Sequence, residues 1–332
     1  VLGDYRIKGR RASEIAADIE HAVSVGELQP GAALPPLRDL AGELGVNPNT
    51  VAAAYRLLRD RGVIETAGRK GSRIRQRPVT APRDQIRVPV PPGARDLSAG
   101  NPDIALLPAL GPALAVAAAA GDRDPVLYGH APTDPGLLAL AHADFRADGA
   151  PEGALAVCSG SLDAIERILT TQLRPGDQVA VEDPGWSSLL DLLPALGMTP
   201  VPVRLDDEGP LPASLAAALA GGARAAVVTV RAQNPTGAAL TEARAAELRA
   251  VLAQHPATLL IEDDHGHGMV DQPYHSLVAA TPDGPRSTGR WAVVRSAAKA
   301  YGPDLRLSVL LGEQDTVARV LGRQRLDLSL IH

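Results

Sequence analysis

The stretch VVRSAAKAYGPDLRLSVLLG, Val293–Gly312, runs from one apolar segment through Ser296, Lys299 and Arg306 into a second apolar segment. Lysine is scarce in this chain, whose basic residues are mostly arginine, so a lysine seven residues before Arg306 asks for a reason. A lysine in a turn is ordinarily a solvated surface charge. The other reading is a nucleophilic amine beside a bound phosphate. Deciding between them depends on what the surrounding segments build.

Outward from that stretch, the chain after Leu97 alternates strand-like and helix-like pieces. LAVCSG precedes SLDAIERILTTQL, and DQVAVEDPG precedes WSSLLDLLPALG; AAVVTV, ATLLIEDD and WAVVRS follow as apolar runs bounded by polar or Gly-containing turns. Helices between buried strands predict an α/β sheet with parallel strands. In such sheets ligands gather at the carboxyl ends of the strands. The polar groups closing these strands are Ser159–Gly160–Ser161, Glu182–Asp183–Pro184, Asn234, Asp263–Asp264 and Ser296.

The first 75 residues read differently. SEIAADIEHAVSVGEL spaces Ile15, Ile19 and Val23 as one helical face behind the cap candidate Ser13. LPPLRDLAGELGV puts Leu37, Leu40, Ala41 and Leu44 on a second face and stops at Gly45. NPNTVAAAYRLLRDRGV starts a third helix with Asn47 as cap and Pro48 in its first turn, burying Val51, Ala54, Tyr55 and Leu58. Two helices about a tight Gly turn make a helix-turn-helix, and VIETAGRKGSRIR adds two short strands around a Gly-containing tip, a wing. The proline-rich segment 76–96, with few periodic apolar residues, reads as a semi-extended linker.

Composition agrees with this division. The 332 residues are 45% hydrophobic and 21% charged, enough for two or three domains with sizeable cores, but aromatics are only 2%, so Ala, Leu and Val must fill them. Residues 1–77 carry 13 Lys/Arg against 9 Asp/Glu, hence +4 there and −9 in the rest of a chain of formal charge −5. The acid-free run GRKGSRIRQR, with Arg69, Lys70, Arg73, Arg75 and Arg77, points to a polyanion partner. No apolar run has the length of a membrane span, and the single cysteine, Cys158, excludes an internal disulfide; a cytoplasmic protein is expected, with Cys158 a small buried hydrophobe.

The run GELQPGAALPPLRDLAGELGVNPNTVAAAYRLLRDRGVIETAGRKGS closely resembles the winged helix-turn-helix of the GntR family of bacterial regulators, and the resemblance covers essentially all of residues 10–75. The resemblance implies a double-stranded operator DNA partner. The recognition helix would enter the major groove with Asn47, Asn49 and Thr50 at its start, Arg38 would also face DNA, and Arg69 and Lys70 would meet the backbone from the wing. Pro48 stands where members often place arginine. From LSAGNPDIALLP onward the chain resembles the fold-type I pyridoxal phosphate enzymes, the class I/II aminotransferases. The two together match the MocR subfamily of GntR regulators. The expected organisation is a winged helix-turn-helix over 1–75, a linker over 76–96, and over 97–332 an α/β aminotransferase-like domain that lacks the relatives' C-terminal small domain. The chain would then be a truncated product, leaving apolar residues such as Val317, Val320 and Leu321 uncovered.

The resemblance assigns roles toward pyridoxal 5'-phosphate. Lys299 supplies the amine for a Schiff base, and Ser296 and Arg306 flank it as phosphate donors, Arg306 with a planar fork. Ser161, with the backbone N–H groups of Ser161 and Leu162 at a helix start, favours the same anion. Asp263, the first aspartate of IEDDH, keeps the pyridine nitrogen protonated. Asn234 of QNPTG faces the ring oxygen, Trp186 of EDPGW stacks on the ring, and Tyr128 reaches the phosphate of a partner subunit, which implies a homodimer. His265 stands where relatives carry a tyrosine, and imidazole could donate to the ring oxygen; Ala298 replaces a hydroxyl residue and Ser308 a common glycine, so weaker cofactor binding is implied.

The favoured function is a transcriptional regulator sensing pyridoxal phosphate or its adduct with a small amine or amino-acid effector. The alternatives are a working aminotransferase with a DNA-binding appendage, and a regulator whose body binds nothing; the truncated form is not expected to turn over. DDHGHGM also permits His265 and His267 as alternating metal ligands, but no further His/Cys cluster accompanies them, and no metal is expected.

Overall fold

The computed structural model describes residues 5–24, 27–29, 31–66, 71–75, 90, 93–94, 100–125, 127 and 133–327. Arg69, Lys70, Tyr128 and nearly all of the 76–96 segment lie outside them. The chain divides into two compact units, residues 1–86 with 174–179 and 187–200, and residues 87–173 with 180–186 and 201–332.

In the first unit the helices are α1 (Ala12–Ser24), α2 (Leu37–Leu44) and α3 (Pro48–Asp60), followed by an antiparallel hairpin of β1 (Ile64–Thr66) and β2 (Ser72–Ile74). α2 ends at Gly45, whose φ of 63° is a left-handed conformation that costs glycine little. α3 then starts on Asn47, whose side chain accepts from Asn49 N at 2.8 Å, with Pro48 in the first turn. Such a cap contributes about 1 kcal/mol. Ile15, Ile19, Leu40, Val51, Ala54, Tyr55, Leu58, Ile64 and Ile74 close one core. The Tyr55 hydroxyl, inside it, donates to Pro35 O at 2.8 Å.

The second unit begins, among the described residues, with a single turn at Ile104–Leu106 and the helices α4 (Gly111–Arg123) and α5 (Pro135–Ala147). Next along the chain come β3 (Ala154–Cys158), α6 (Ser161–Gln172), β4 (Gln178–Asp183), α7 (Ser187–Ala195), which falls in the first unit, β5 (Thr199–Asp206), β6 (Gly209–Pro210) and α8 (Pro212–Ala220). The remaining elements are β7 (Ala223–Thr229), α9 (Glu242–Ala253), β8 (Leu259–Asp263), β9 (Arg290–Ser296), α10 (Ala298–Tyr301), β10 (Ser308–Gly312) and α11 (Gln314–Asp327). Eight strands form one sheet in the order β3-β10-β9-β8-β7-β4-β5-β6. β8 is buried along its whole length and β9 from Trp291 on, as expected of parallel strands covered on both faces. α6 buries Ala164, Ile165, Ile168 and Leu169, the Ile and Leu side chains each contributing about 2 kcal/mol by burial.

Two expectations need correction. The sheet is mixed, because β10 runs antiparallel to both β9 and β3. Only residues 297–307, including the four-residue α10, join β9 to β10, too short a connection for a parallel return. Val317 and Val320 are not uncovered: they are 1% and 0% exposed. α11 packs on α6 and β3, and Gln324 Nε2 ties it to Val157 O at 2.7 Å. No helix among the described residues is long and apolar enough to cross a membrane.

Candidate functional site

The antiparallel return of β10 has a chemical consequence. It brings Ser308, at the start of β10, level with Ser296 at the end of β9 and Cys158 at the end of β3. Residues paired in register share a face, so Cys158, Ser308 and Ser296 form a row at the carboxyl edge. Asp263, closing β8, is level with Thr229 and Val294 and continues that edge. The register of this mixed sheet thus gathers residues more than a hundred positions apart, such as Cys158 and Ser308.

At one end of the row the chain turns at Gly160 (φ 111°) into α6. Ala164 N is hydrogen-bonded to Gly160 O at 3.0 Å, which leaves the N–H groups of Ser161 and Leu162 at the open helix end. The exposed Arg306 guanidinium lies against Gly160: a Cβ there would sit 2.6 Å from Nη2 and push that flexible group aside, while the φ of 111° itself favours glycine. Arg306 Nη2 also donates to Ser159 O at 3.4 Å. Asp163 folds back to accept from Ser159 N at 2.9 Å and fixes the turn. Ser161 is buried, yet its Oγ has no hydrogen-bond partner among the described residues.

Lys299 stands on α10, with an exposed side chain. Ser296 Oγ accepts from Ala298 N at 3.2 Å and so holds the first turn of that helix. Asp263 is 3% exposed; its Oδ2 faces His265 Nδ1 at 3.0 Å, and its Oδ1 has no partner among the described residues. Ser308 Oγ, 0% exposed, is a third unpartnered buried oxygen on this edge. Trp186 is half-buried and Asn234 exposed.

Two residues to which the sequence assigned no role, Glu182 among the strand-closing polar groups and Gln233, hold the loops bearing Trp186 and Asn234. Glu182, buried at the end of β4, accepts from Thr229 N and Thr229 Oγ1, each at 2.9 Å, and from Gln233 Nε2 at 3.0 Å. Burial pushes its carboxyl up to about 7. Gln233 Nε2 also donates to Pro184 O at 3.0 Å, while its Oε1 accepts from Thr236 Oγ1 at 2.7 Å. One glutamine therefore stitches EDPGW to QNPTG. Its signal was its position beside Asn234, but a glutamine in a turn carries no periodicity that would single it out. Cys158 behaves as expected, its thiol pushed up to about 12 by burial.

His265 differs from expectation. Its Nδ1 faces Asp263 and its Nε2 faces Ala232 O at 2.9 Å, so neither ring nitrogen is left for a ligand's ring oxygen. The same contacts remove it as a metal ligand. A different trio, Asp148, Asp264 and His267, brings its ligand atoms within 4.8 Å of one another. Guanidinium groups already fill those carboxylates: Arg231 Nε lies 2.6 Å from Asp264 Oδ1, and Arg295 Nη2 lies 2.6 Å from Asp148 Oδ2. A dication would have to displace both arginines, and the network reads as structural.

On the first unit, Arg38 and Asn49 are exposed on α2 and at the start of α3, and Thr50 is half-exposed. Asn47 is engaged in capping, so its side-chain oxygen already has a partner.

Residues 96–326 match the family of class I and II aminotransferases, and residues 11–74 match the bacterial regulatory proteins of the gntR family. The vitamin B6 salvage pathway transcriptional repressor PtsJ of Salmonella typhimurium is 41% identical over 317 residues, which span 95% of this chain and 70% of that protein. The pyridoxine biosynthesis transcriptional regulator PdxR of Corynebacterium glutamicum is 31% identical over 82% of this chain and 60% of its own length. The aspartate aminotransferase of Rhizobium meliloti superposes with a TM-score of 0.59 at 24% identity, covering 69% of this chain and 58% of that one, a likeness of fold. The chain thus spans between 58% and 70% of the length of these relatives.

Proposed function

Since the chain belongs to the class I and II aminotransferase family and carries a gntR-family domain ahead of that match, we propose that it is a DNA-binding transcriptional regulator that senses pyridoxal 5'-phosphate, or its adduct with a small amine or amino acid. The observation that carries the reading is the pair of unpartnered buried oxygens, Ser161 Oγ and Asp263 Oδ1, on one sheet edge that also bears Lys299. Buried polar atoms without partners are rare in folded proteins, and these are a donor and an acceptor suited to a phosphate and to a protonated ring nitrogen.

The residues fit the cofactor. Arg306, Ser161 Oγ and the N–H groups of Ser161 and Leu162 would hold the phosphate, with Ser296 beside them; Gly160 keeps the cradle open. Asp263 Oδ1 would accept from the ring nitrogen, Asn234 would donate to the ring oxygen, and Trp186 would cover one ring face. Lys299 would hold the cofactor covalently through its amine. Bound there, pyridoxal phosphate supplies an aldehyde that a free amine effector can compete for. The proposed organisation is DNA-binding residues 1–75, a linker over 76–96 and the sensing domain over 97–332, assembled as a homodimer. Arg38, Asn49 and Thr50 would read or hold operator DNA, with Arg69 and Lys70 on its phosphates. The names of the Salmonella and Corynebacterium relatives, which tie them to vitamin B6 salvage and pyridoxine biosynthesis, support this reading.

The test is to select DNA from a random pool with the purified chain, then measure affinity with and without pyridoxal phosphate alongside the visible spectrum. Sequence-selective binding that shifts severalfold on cofactor addition is expected. A chain that acquires no visible band, or whose DNA affinity ignores the cofactor, contradicts the proposal.

A further inference from the structure

The loop after β8 and the loop after β7 interlock around His265. Its Nδ1 lies 3.0 Å from Asp263 Oδ2 and its Nε2 lies 2.9 Å from Ala232 O. Ala232 holds a φ of +57°, the only positive value at a non-glycine residue among those described. An alanine there is strained, and its carbonyl meets the imidazole. The approach is close: a Cβ on Gly266 would sit 3.0 Å from Arg231 O and 3.2 Å from Ala232 Cβ. Ala232 lies two residues before Asn234 in the chain.

Resting on the functional reading above, we propose that His265 is a positioning residue which never touches the cofactor. It locks the carboxylate meant for the ring nitrogen to the loop that carries the partner of the ring oxygen. With Oδ2 of Asp263 held by the imidazole, Oδ1 alone is presented to a ligand, in a fixed direction. The tyrosine that relatives carry would serve the ring oxygen itself. Here the oxygen is left to Asn234, whose loop His265 steadies from behind through the Ala232 carbonyl.

The protonation state follows from the partners. A carbonyl accepts only, so Nε2 must carry a hydrogen; a neutral ring would then turn the Nδ1 lone pair toward a carboxylate oxygen at 3.0 Å, which is repulsive. The imidazolium satisfies both. Burial opposes the charge and is the largest single influence, but the hydrogen bond and charge of Asp263 together with the Ala232 carbonyl outweigh it, and the ring titrates above its ordinary value. The charged groups facing it are Asp263 from β8 and Lys299 from α10, the latter acting against the imidazolium.

Nitrogen-15 NMR of the cofactor-free chain should show both ring nitrogens of His265 protonated at pH 7, and a neutral ring in Asp263→Ala. In equilibrium dialysis, His265→Phe should weaken pyridoxal phosphate retention about tenfold, the scale of one hydrogen bond to a charged group. His265→Gln, which keeps a donor, should recover part of the loss and guards against a misfolded Phe variant. The losses of Asp263→Ala and His265→Phe should be less than additive in the double variant, because much of the imidazole's effect passes through the carboxylate it holds. Retention by the unmodified chain together with a neutral imidazole, or with additive losses in the double variant, would overturn the proposal. No retention by the unmodified chain would instead overturn the functional reading on which it rests.

Discussion

On the back of the sheet, Glu262 accepts from Leu277 N at 2.7 Å, Val278 N at 3.1 Å, Ser276 Oγ at 3.2 Å and the Tyr274 hydroxyl. On the front, its chain neighbour Asp263 has one donor, His265, and an oxygen with none. Both are buried residues of one strand, and the pleat alone sends them to opposite faces. The difference separates a carboxylate that folding has already satisfied from one that folding leaves wanting. An unmet buried acceptor costs about 1–3 kcal/mol, a cost that a bound donor would remove.

The contrast is sharpest under isosteric change. Glu262→Gln can keep an oxygen on Leu277 N and Val278 N but sets its amide N–H₂ against the Tyr274 hydroxyl that donates to Oε2, and should cost about 1–3 kcal/mol of stability, read as a fall in melting temperature. Asp263→Asn should cost less than about 1 kcal/mol in the cofactor-free chain, yet abolish tight pyridoxal phosphate binding. Similar stability losses in the two variants would break the comparison.

The same pair predicts a pH effect. Burial raises Glu262 to about 7, above its unfolded value, so the folded state binds the proton more tightly. Its contribution to stability is complete below the unfolded carboxylate range, near pH 4, and is lost as pH rises toward 7. The full span is about 3 kcal/mol at most. Urea titrations between pH 5 and 8 should show wild type losing stability with rising pH and Glu262→Gln losing less; His265, held charged by Asp263, adds to the same slope. Glu182, also raised to about 7, contributes to the slope that remains.

A smaller version of the contrast exists in the first unit. Asn47 has met its partner in Asn49 N, whereas the Asn49 side chain is exposed. Asn47→Ala should cost about 1 kcal/mol of domain stability. Asn49→Ala should leave stability unchanged and weaken operator binding by about 1–3 kcal/mol, measured by anisotropy on selected DNA. Equal operator losses without any stability change in Asn47→Ala would show that the cap also reads bases.

Much of this was legible in the sequence where local rules act alone. Gly45, Asn47 and Pro48 announce the helix-turn-helix because a left-handed stop, a cap and a first-turn proline are each decided by one residue's own chemistry. The buried strands ending in Asp263 and Ser296 were visible as apolar runs. The antiparallel run of β10 was less so, since connection length and not composition decides it. His265 was misjudged because its partners, Asp263 and the Ala232 carbonyl, meet only when two loops pack together. Val317 and Val320 show the same gap: helical spacing says that a face is apolar, not what covers it.

The most direct test of the central claim is chemical. The chain is saturated with pyridoxal phosphate, reduced with borohydride, digested, and the modified peptide identified by mass spectrometry. A phosphopyridoxyl group on Lys299, absent from Lys299→Ala, is the result this account predicts. Label confined to Lys8, Lys70 or the amino terminus, or the same yield of fixed cofactor from Lys299→Ala, would contradict it.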